Sequence, residues 1–194
     1  TDYSFNVCNS LTAEWLQQEG VERFTPGHDL NMQQLTQMMH YTNGESVELI
    51  LHHYMPTFYM EHCPYAAFMS KGTDVRTCGK PCRKHKASLR DFKGVDHPLK
   101  PDYACRNTMY HGIPQSSSRF IEQFKKMGIG HYRIEALYET EDELRNKITT
   151  YHRALMGSLP LNEVHSLVNV LEKHGVSEGQ LMNTAVFQNR KKER

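Results

Sequence analysis

The run ESVELILHH, residues 45–53, is the best strand in the chain. Its apolar residues Val47, Leu49, Ile50 and Leu51 follow one another closely enough to be buried on both faces, the habit of a strand inside a helix-flanked parallel sheet. Upstream of it, strand-like and helix-like segments alternate. YSFNV (Tyr3–Val7) reads as a strand. SLTAEWLQQEG (residues 10–20) reads as a helix with Leu11 and Trp15 on one face and Gly20 at its end. VERFTP (Val21–Pro26) reads as a second strand. NMQQLTQMMHY (Asn31–Tyr41) reads as a helix with Asp29 or Asn31 as its cap and Leu35, Met38 and Met39 facing inward.

Downstream the periodicity breaks. Residues 54–112 are rich in Cys, Lys, Pro and Gly. Regularity returns with a Ser-capped helix through Phe120, Phe124 and Met127 that Gly128 stops, then a strand, His131–Leu137. The clearest helix follows: Thr140 and Glu143 form a capping box, and Leu144, Ile148, Tyr151 and Leu155 make a stripe. A last helix at about 162–174 lies between Asn162 and Gly175, and QNRKKER (residues 188–194) reads as a frayed charged tail. The order βαβαβ, insertion, αβα predicts an α/β fold with a parallel sheet, about half of a (β/α)8 barrel, or else a small α/β sandwich. The expected division is 1–157 for the partial barrel, including the insertion 54–112, and 158–194 for the C-terminal helix and tail.

The chain has 194 residues, enough for a sizeable core, and a formal net charge of +1, so nucleic-acid binding would need a local patch. No apolar run approaches the ~20 residues of a membrane span. The opening TDYSFNV carries neither an initiator Met nor a leader, which reads as a piece of a longer protein. Five cysteines, an odd number, argue against a secreted disulfide scaffold, so a cytoplasmic or organelle-matrix location is expected.

Cys8 reads as a small buried hydrophobe. Cys63, Cys78, Cys82 and Cys105 all fall in the insertion, which has few apolar residues to fold around and would gain from a metal cross-link. Zinc sites favour tight cysteine pairs with two residues between them, whereas Cys78 and Cys82 have three. Iron–sulfur clusters accept scattered thiolates, and Lys80, Arg83, Lys84, His85 and Lys86 would balance a cluster's charge. Cluster, zinc and plain thiols all stay open on these grounds.

The stretches HHYMPTFYMEHCPYAAFM, TCGKPCRKHKASLRDFKGVDHPL and DYACRNTMYHG resemble the collagenase-like peptidase family U32, specifically the second half of its barrel. DYSFNVCNSLTA and RFTPGHDLN resemble the family's preceding strand-to-helix turns, so the likeness covers residues 2–137. Several members are [4Fe–4S] proteins that support oxygen-independent hydroxylation of RNA bases or of the ubiquinone ring. The resemblance implies cluster ligation by Cys63, Cys78, Cys82 and Cys105, and a missing N-terminal half-barrel in the same or a separate chain.

The barrel rule, which puts chemistry at the C-terminal ends of strands, selects Asn6, Asn9, His28, Asp29, His52, His53 and Glu135. His28, Asp29, His53 and Glu135 are the catalytic candidates. His52 and His53 should point to opposite faces. Glu61 and His62 precede the first cysteine and could orient it, and Arg106 and Asn107 could bond cluster sulfurs or an anionic substrate. Residues 71–93 carry the strongest basic bias, a candidate RNA contact through Lys80, Arg83, Lys84 and Lys86, without an aromatic-rich platform. Three functions compete: an iron–sulfur hydroxylase, a U32-type protease and a metal-stabilised RNA-binding module. Neither HExxH nor GxSxG, which would mark a protease, occurs.

Overall fold

The computed structural model describes residues 1–182. In chain order the elements are α1 (Ser10–Gln18), α2 (Met32–Met39), β1 (Glu48–His53), β2 (Pro56–Met60), α3 (Pro64–Met69), β3 (Ala87–Arg90), β4 (Asp96–Pro101), β5 (Asn107–Tyr110), β6 (Gln115–Ser116), α4 (Ile121–Lys126), β7 (His131–Ile134), α5 (Glu141–Leu155) and α6 (Leu161–Leu171). The expected charged tail at 188–194 lies outside the described residues. The fold is α/β, and the chain divides into two compact units, Thr1–His53 with the chain from Gln115 onward, and Tyr54–Pro114. Among the described residues no helix is long and apolar enough to cross a membrane.

In the first unit β1 is the central strand, parallel to β7 and antiparallel to β6. Two single parallel bridges, Phe24 to Val47 and Val7 to Pro26, continue the array away from β7. Four parallel segments therefore lie side by side in chain order. The first two are bridges rather than the strands expected at 3–7 and 21–26. The Asp2 carboxylate accepts from the Tyr3 N–H at 2.7 Å and winds Tyr3–Phe5 into a 3-10 turn, which Asn6 ends with φ 51°. Pro26 brings no N–H to extend a ladder. The start of β1 is also later than expected, because Gly44–Ser46 form another 3-10 turn capped by Asn43. Gly44 passes so close to Gly128 that a Cβ would lie 2.4 Å from its carbonyl, which only glycine tolerates.

Val7, Phe24, Val47, Leu49 and Leu51 bury the sheet against Leu35, Met38, Ile121, Phe124 and Val164. α2 keeps its expected face and is closed by an Asn31–Gln34 capping box, so Asn31 rather than Asp29 is the cap. α5 carries the expected Thr140–Glu143 box. α1 differs: Leu11 and Trp15 are exposed, and Ala13 and Leu16 face the core. α6 begins at Leu161 after Pro160, without the Asn162 cap, and buries Val164 and Val168. β7 stops at Ile134, short of Leu137.

The second unit is more regular than its composition suggests. Four antiparallel strands run in the order β2-β5-β4-β3. Few apolar side chains support them; Tyr65 and Leu99 are the large buried ones. The Tyr65 hydroxyl donates to the Leu99 carbonyl at 2.9 Å and accepts from the Ala87 N–H at 3.1 Å, joining α3 to β3 and β4. Aspartate-centred turns provide further order. Asp91 accepts from the Lys93 and Val95 N–H groups, and Asp74 from those of Arg76 and Thr77.

The first unit also holds a charge network in its core. Lys147, expected on no buried face, is 1% exposed and contacts Glu139 at 2.6 Å and Glu172 at 2.7 Å. Glu172 lies 3.0 Å from His52 Nε2, and His52 Nδ1 lies 3.3 Å from the Tyr151 hydroxyl. That hydroxyl lies 2.7 Å from Ser116 Oγ. A lysine buried among carboxylates is sustained only by its partners, and removing it leaves their charges stranded. Lys147→Ala should lower stability by about 3–5 kcal/mol, measured by urea unfolding. A loss under about 1 kcal/mol, the worth of an exposed pair, would contradict the network's burial.

Candidate functional site

Two groups of side chains stand out, one in each unit. In the second unit Cys63, Cys78, Cys82 and Cys105 line a single cavity of about 620 Å³. Each thiol is free and half-buried. The local backbone explains how each is presented. Cys63 is the N-cap of α3, with Pro64 fixing the first helical position. Cys78 and Cys82 flank a left-handed pair, Gly79 (φ 68°) and Lys80 (φ 52°), followed by the 3-10 turn Pro81–Arg83. The Lys80 N–H donates to Cys78 Sγ at 3.4 Å. Cys105 is itself left-handed, with φ 64°. Cys8, expected to be buried, is exposed and belongs to the other unit.

Glu61, His62, Lys80 and Arg83 line the same cavity, together with Asp74, Asp102 and Tyr103. Lys84 and Lys86 are exposed and are not among its lining residues. Arg106 and Asn107 also lie outside the lining. Arg106 Nε pairs with Asp102 at 3.0 Å, and its guanidinium lies over the Tyr59 ring at 5.2 Å. Asn107, fully buried, donates to the carbonyls of Cys105 and His62 and so ties two cysteine loops together. Sequence reasoning missed Asp102 and Tyr59; the signal was an aspartate three residues ahead of Cys105 with Arg106 four ahead of it, the spacing of a side-chain-closed turn.

In the first unit the structure brings three of the four catalytic candidates together. The His28 and His53 rings lie 4.7 Å apart between centroids, and the Tyr3 ring lies 4.0 Å from His28. His53 Nδ1 is 3.7 Å from Glu135, whose other oxygen lies 3.1 Å from Arg133. Arg133 also reaches Asp2 at 2.7 Å and Glu48 at 3.1 Å. His28, His53 and Glu135 thus follow or end the second, third and fourth parallel segments, while Asp2 and Tyr3 precede the first. His28 Nε2, His53 Nδ1 and Gln115 Oε1 are buried without a hydrogen-bond partner, and all three residues border a cavity of about 50 Å³. That volume suits a water-sized ligand. Asp29 is exposed and does not line it. Asn6 and Asn9 end a turn and cap α1. His52 and His53 point to opposite faces, as their alternation requires.

Burial lowers the His28 pKa to about 4, and the neighbouring His53 pushes the same way against Glu135, Asp2 and Asp29. Burial opposes the Glu135 carboxylate, yet His53 and Arg133 hold its pKa below the ordinary value. His28 is therefore a neutral imidazole at neutral pH, and Glu135 an ionised carboxylate. Because the folded-state pKa of His28 lies below the unfolded one, the unfolded chain binds more protons between about pH 6.5 and about pH 4. Stability should fall on acidification through that window and level off below it. Urea titrations of the wild type and His28→Gln should converge as pH drops through it. Parallel curves at all pH values would remove His28 as the source.

No curated protein and no solved structure matches the chain. The model of peptidase family U32 matches residues 2–187, so it takes in both the cysteine cavity and the histidine cluster. On that match across nearly the whole length, the chain belongs to peptidase family U32.

Proposed function

We propose that the chain is an iron–sulfur member of its family that supports oxygen-independent hydroxylation of an RNA base or aromatic ring. The observation that carries the reading is the convergence of Cys63, Cys78, Cys82 and Cys105, spread over 43 positions, on one cavity. The donor set fits a cubane cluster: four thiols, one already accepting a backbone N–H, with Lys80 and Arg83 beside them to offset negative charge. A single zinc gathers its ligands within about 2.3 Å of one point. A cluster assigns each thiolate its own iron and so accepts ligands drawn from separate segments, as these four are. When bound, the cluster would supply electron transfer or activate an oxygen donor.

The protein's own residues supply the rest. The second unit carries ten Lys and Arg against five Asp and Glu, a charge suited to phosphates. It also exposes Phe58, Tyr59, Phe68, Phe92 and Tyr103, aromatic surface that the basic run alone did not suggest and on which bases can stack. His28 and His53, with Glu135, are the acid–base candidates. The four parallel segments in chain order support reading the first unit as the second half of a (β/α)8 barrel, its first half supplied upstream or by a partner.

Anaerobic purification followed by iron, sulfide and zinc analysis tests the proposal. Roughly four irons and four sulfides per chain are expected, and replacing all four cysteines by serine should abolish both. One zinc without sulfide would overturn the reading, as would an absence of iron. Hydrolysis of gelatin that survives loss of the four cysteines would favour the peptidase instead.

A further inference from the structure

Cys105 is held differently from the other three thiols. The Asp102 carboxylate accepts from the N–H groups of Ala104 at 2.8 Å and Arg106 at 2.9 Å, from Arg106 Nε at 3.0 Å and from the Tyr59 hydroxyl at 3.2 Å. The backbone closes the same loop: the Asp102 N–H donates to the Arg106 carbonyl at 2.8 Å, and the Cys105 N–H to the Asp102 carbonyl at 3.2 Å. Every one of these contacts is made within residues 102–106 or to Tyr59 on β2. Together they hold Cys105 at φ 64°, a conformation that a residue with a Cβ rarely adopts and that its surroundings must sustain. None of them involves Cys63, Cys78 or Cys82.

We infer that Asp102, with Arg106 and Tyr59, is a positioning device for one thiolate: it sets the loop conformation that presents Cys105 as the fourth cluster ligand, while Asn107 only joins the backbone of that loop to the Cys63 loop. The inference rests on the cluster reading above. Arg106 acts on Cys105 through the loop, because its guanidinium is engaged by Asp102 and the Tyr59 ring. Loss of Asp102 therefore frees one corner of the ligand set and leaves three.

The test is anaerobic reconstitution of the full chain as wild type, Asp102→Ala, Tyr59→Phe and, as a control, Asp91→Ala. Asp91 closes a comparable turn but does not line the cavity. Iron is counted and the oxidised samples are examined by electron paramagnetic resonance. Asp102→Ala should retain roughly three irons of four and show the paramagnetic signal of a three-iron cluster. Tyr59→Phe, which keeps the ring and removes one hydrogen bond, should show a minor fraction of that signal, and Asp91→Ala should show none. Four irons and no three-iron signal in Asp102→Ala would overturn the inference alone. So would uniform loss of all iron from Asp102→Ala, or a three-iron signal of equal size in Asp91→Ala, since both mark general loosening of the unit. A wild type without iron and sulfide would overturn the cluster reading, and the inference with it.

Discussion

Two consecutive histidines at the end of β1 constrain the whole first unit. His52 is 0% and His53 1% exposed, and the alternation of a strand sends them to opposite faces. Each carries polar atoms into a place where water cannot satisfy them, so each face must be built around its needs. On one side the answer is Glu172, Lys147, Glu139 and Tyr151, drawn from α5 and from the ends of α5 and α6. On the other it is His28, Glu135 and the Arg133 cluster. Burial lowers the His52 pKa while Glu172 works against it, which leaves that ring sensitive to its carboxylate partner.

The second unit solves a different problem. With few large side chains buried, its order comes from aspartates that close turns and from the Tyr65 hydroxyl, which bridges a carbonyl and an N–H. Such devices fix loop shape locally and cooperate weakly over distance. That is the setting in which a bound metal adds most, because it links segments that no core joins. Asn107 shows the same economy, one buried amide holding the backbones of the Cys63 and Cys105 loops together.

What the sequence revealed and what it hid divide along physical lines. Signals carried by local chemistry were legible: the Thr140–Glu143 and Asn31–Gln34 boxes, the buried run of β1, the opposite facing of His52 and His53. The cysteines were legible as a set because thiols are rare and their segment lacked another source of order. Signals that depend on the neighbour were not. Lys147 reads as a solvent-facing lysine until Glu139 and Glu172 are beside it. Leu11 and Trp15 match a helical stripe as well as Ala13 and Leu16 do, and only the segments against α1 decide between them. The second sheet was invisible because its strands hold Pro, Lys and Asp where apolar alternation would have announced them. Asp29 and Asn31 were equivalent as caps on paper, and geometry chose Asn31.

The formal net charge of +1 conceals a partition along the chain. The second unit has ten basic and five acidic residues, so the remainder of the chain has thirteen and seventeen. Basic charge is thus concentrated in one unit, where a local patch can act although the total nearly cancels. The basic unit is also the one that holds the four thiols and the exposed rings. Basic charge, exposed rings and the four thiols thus reside in the same sixty-odd residues, and the proposed function draws on that coincidence rather than on any property of the whole chain.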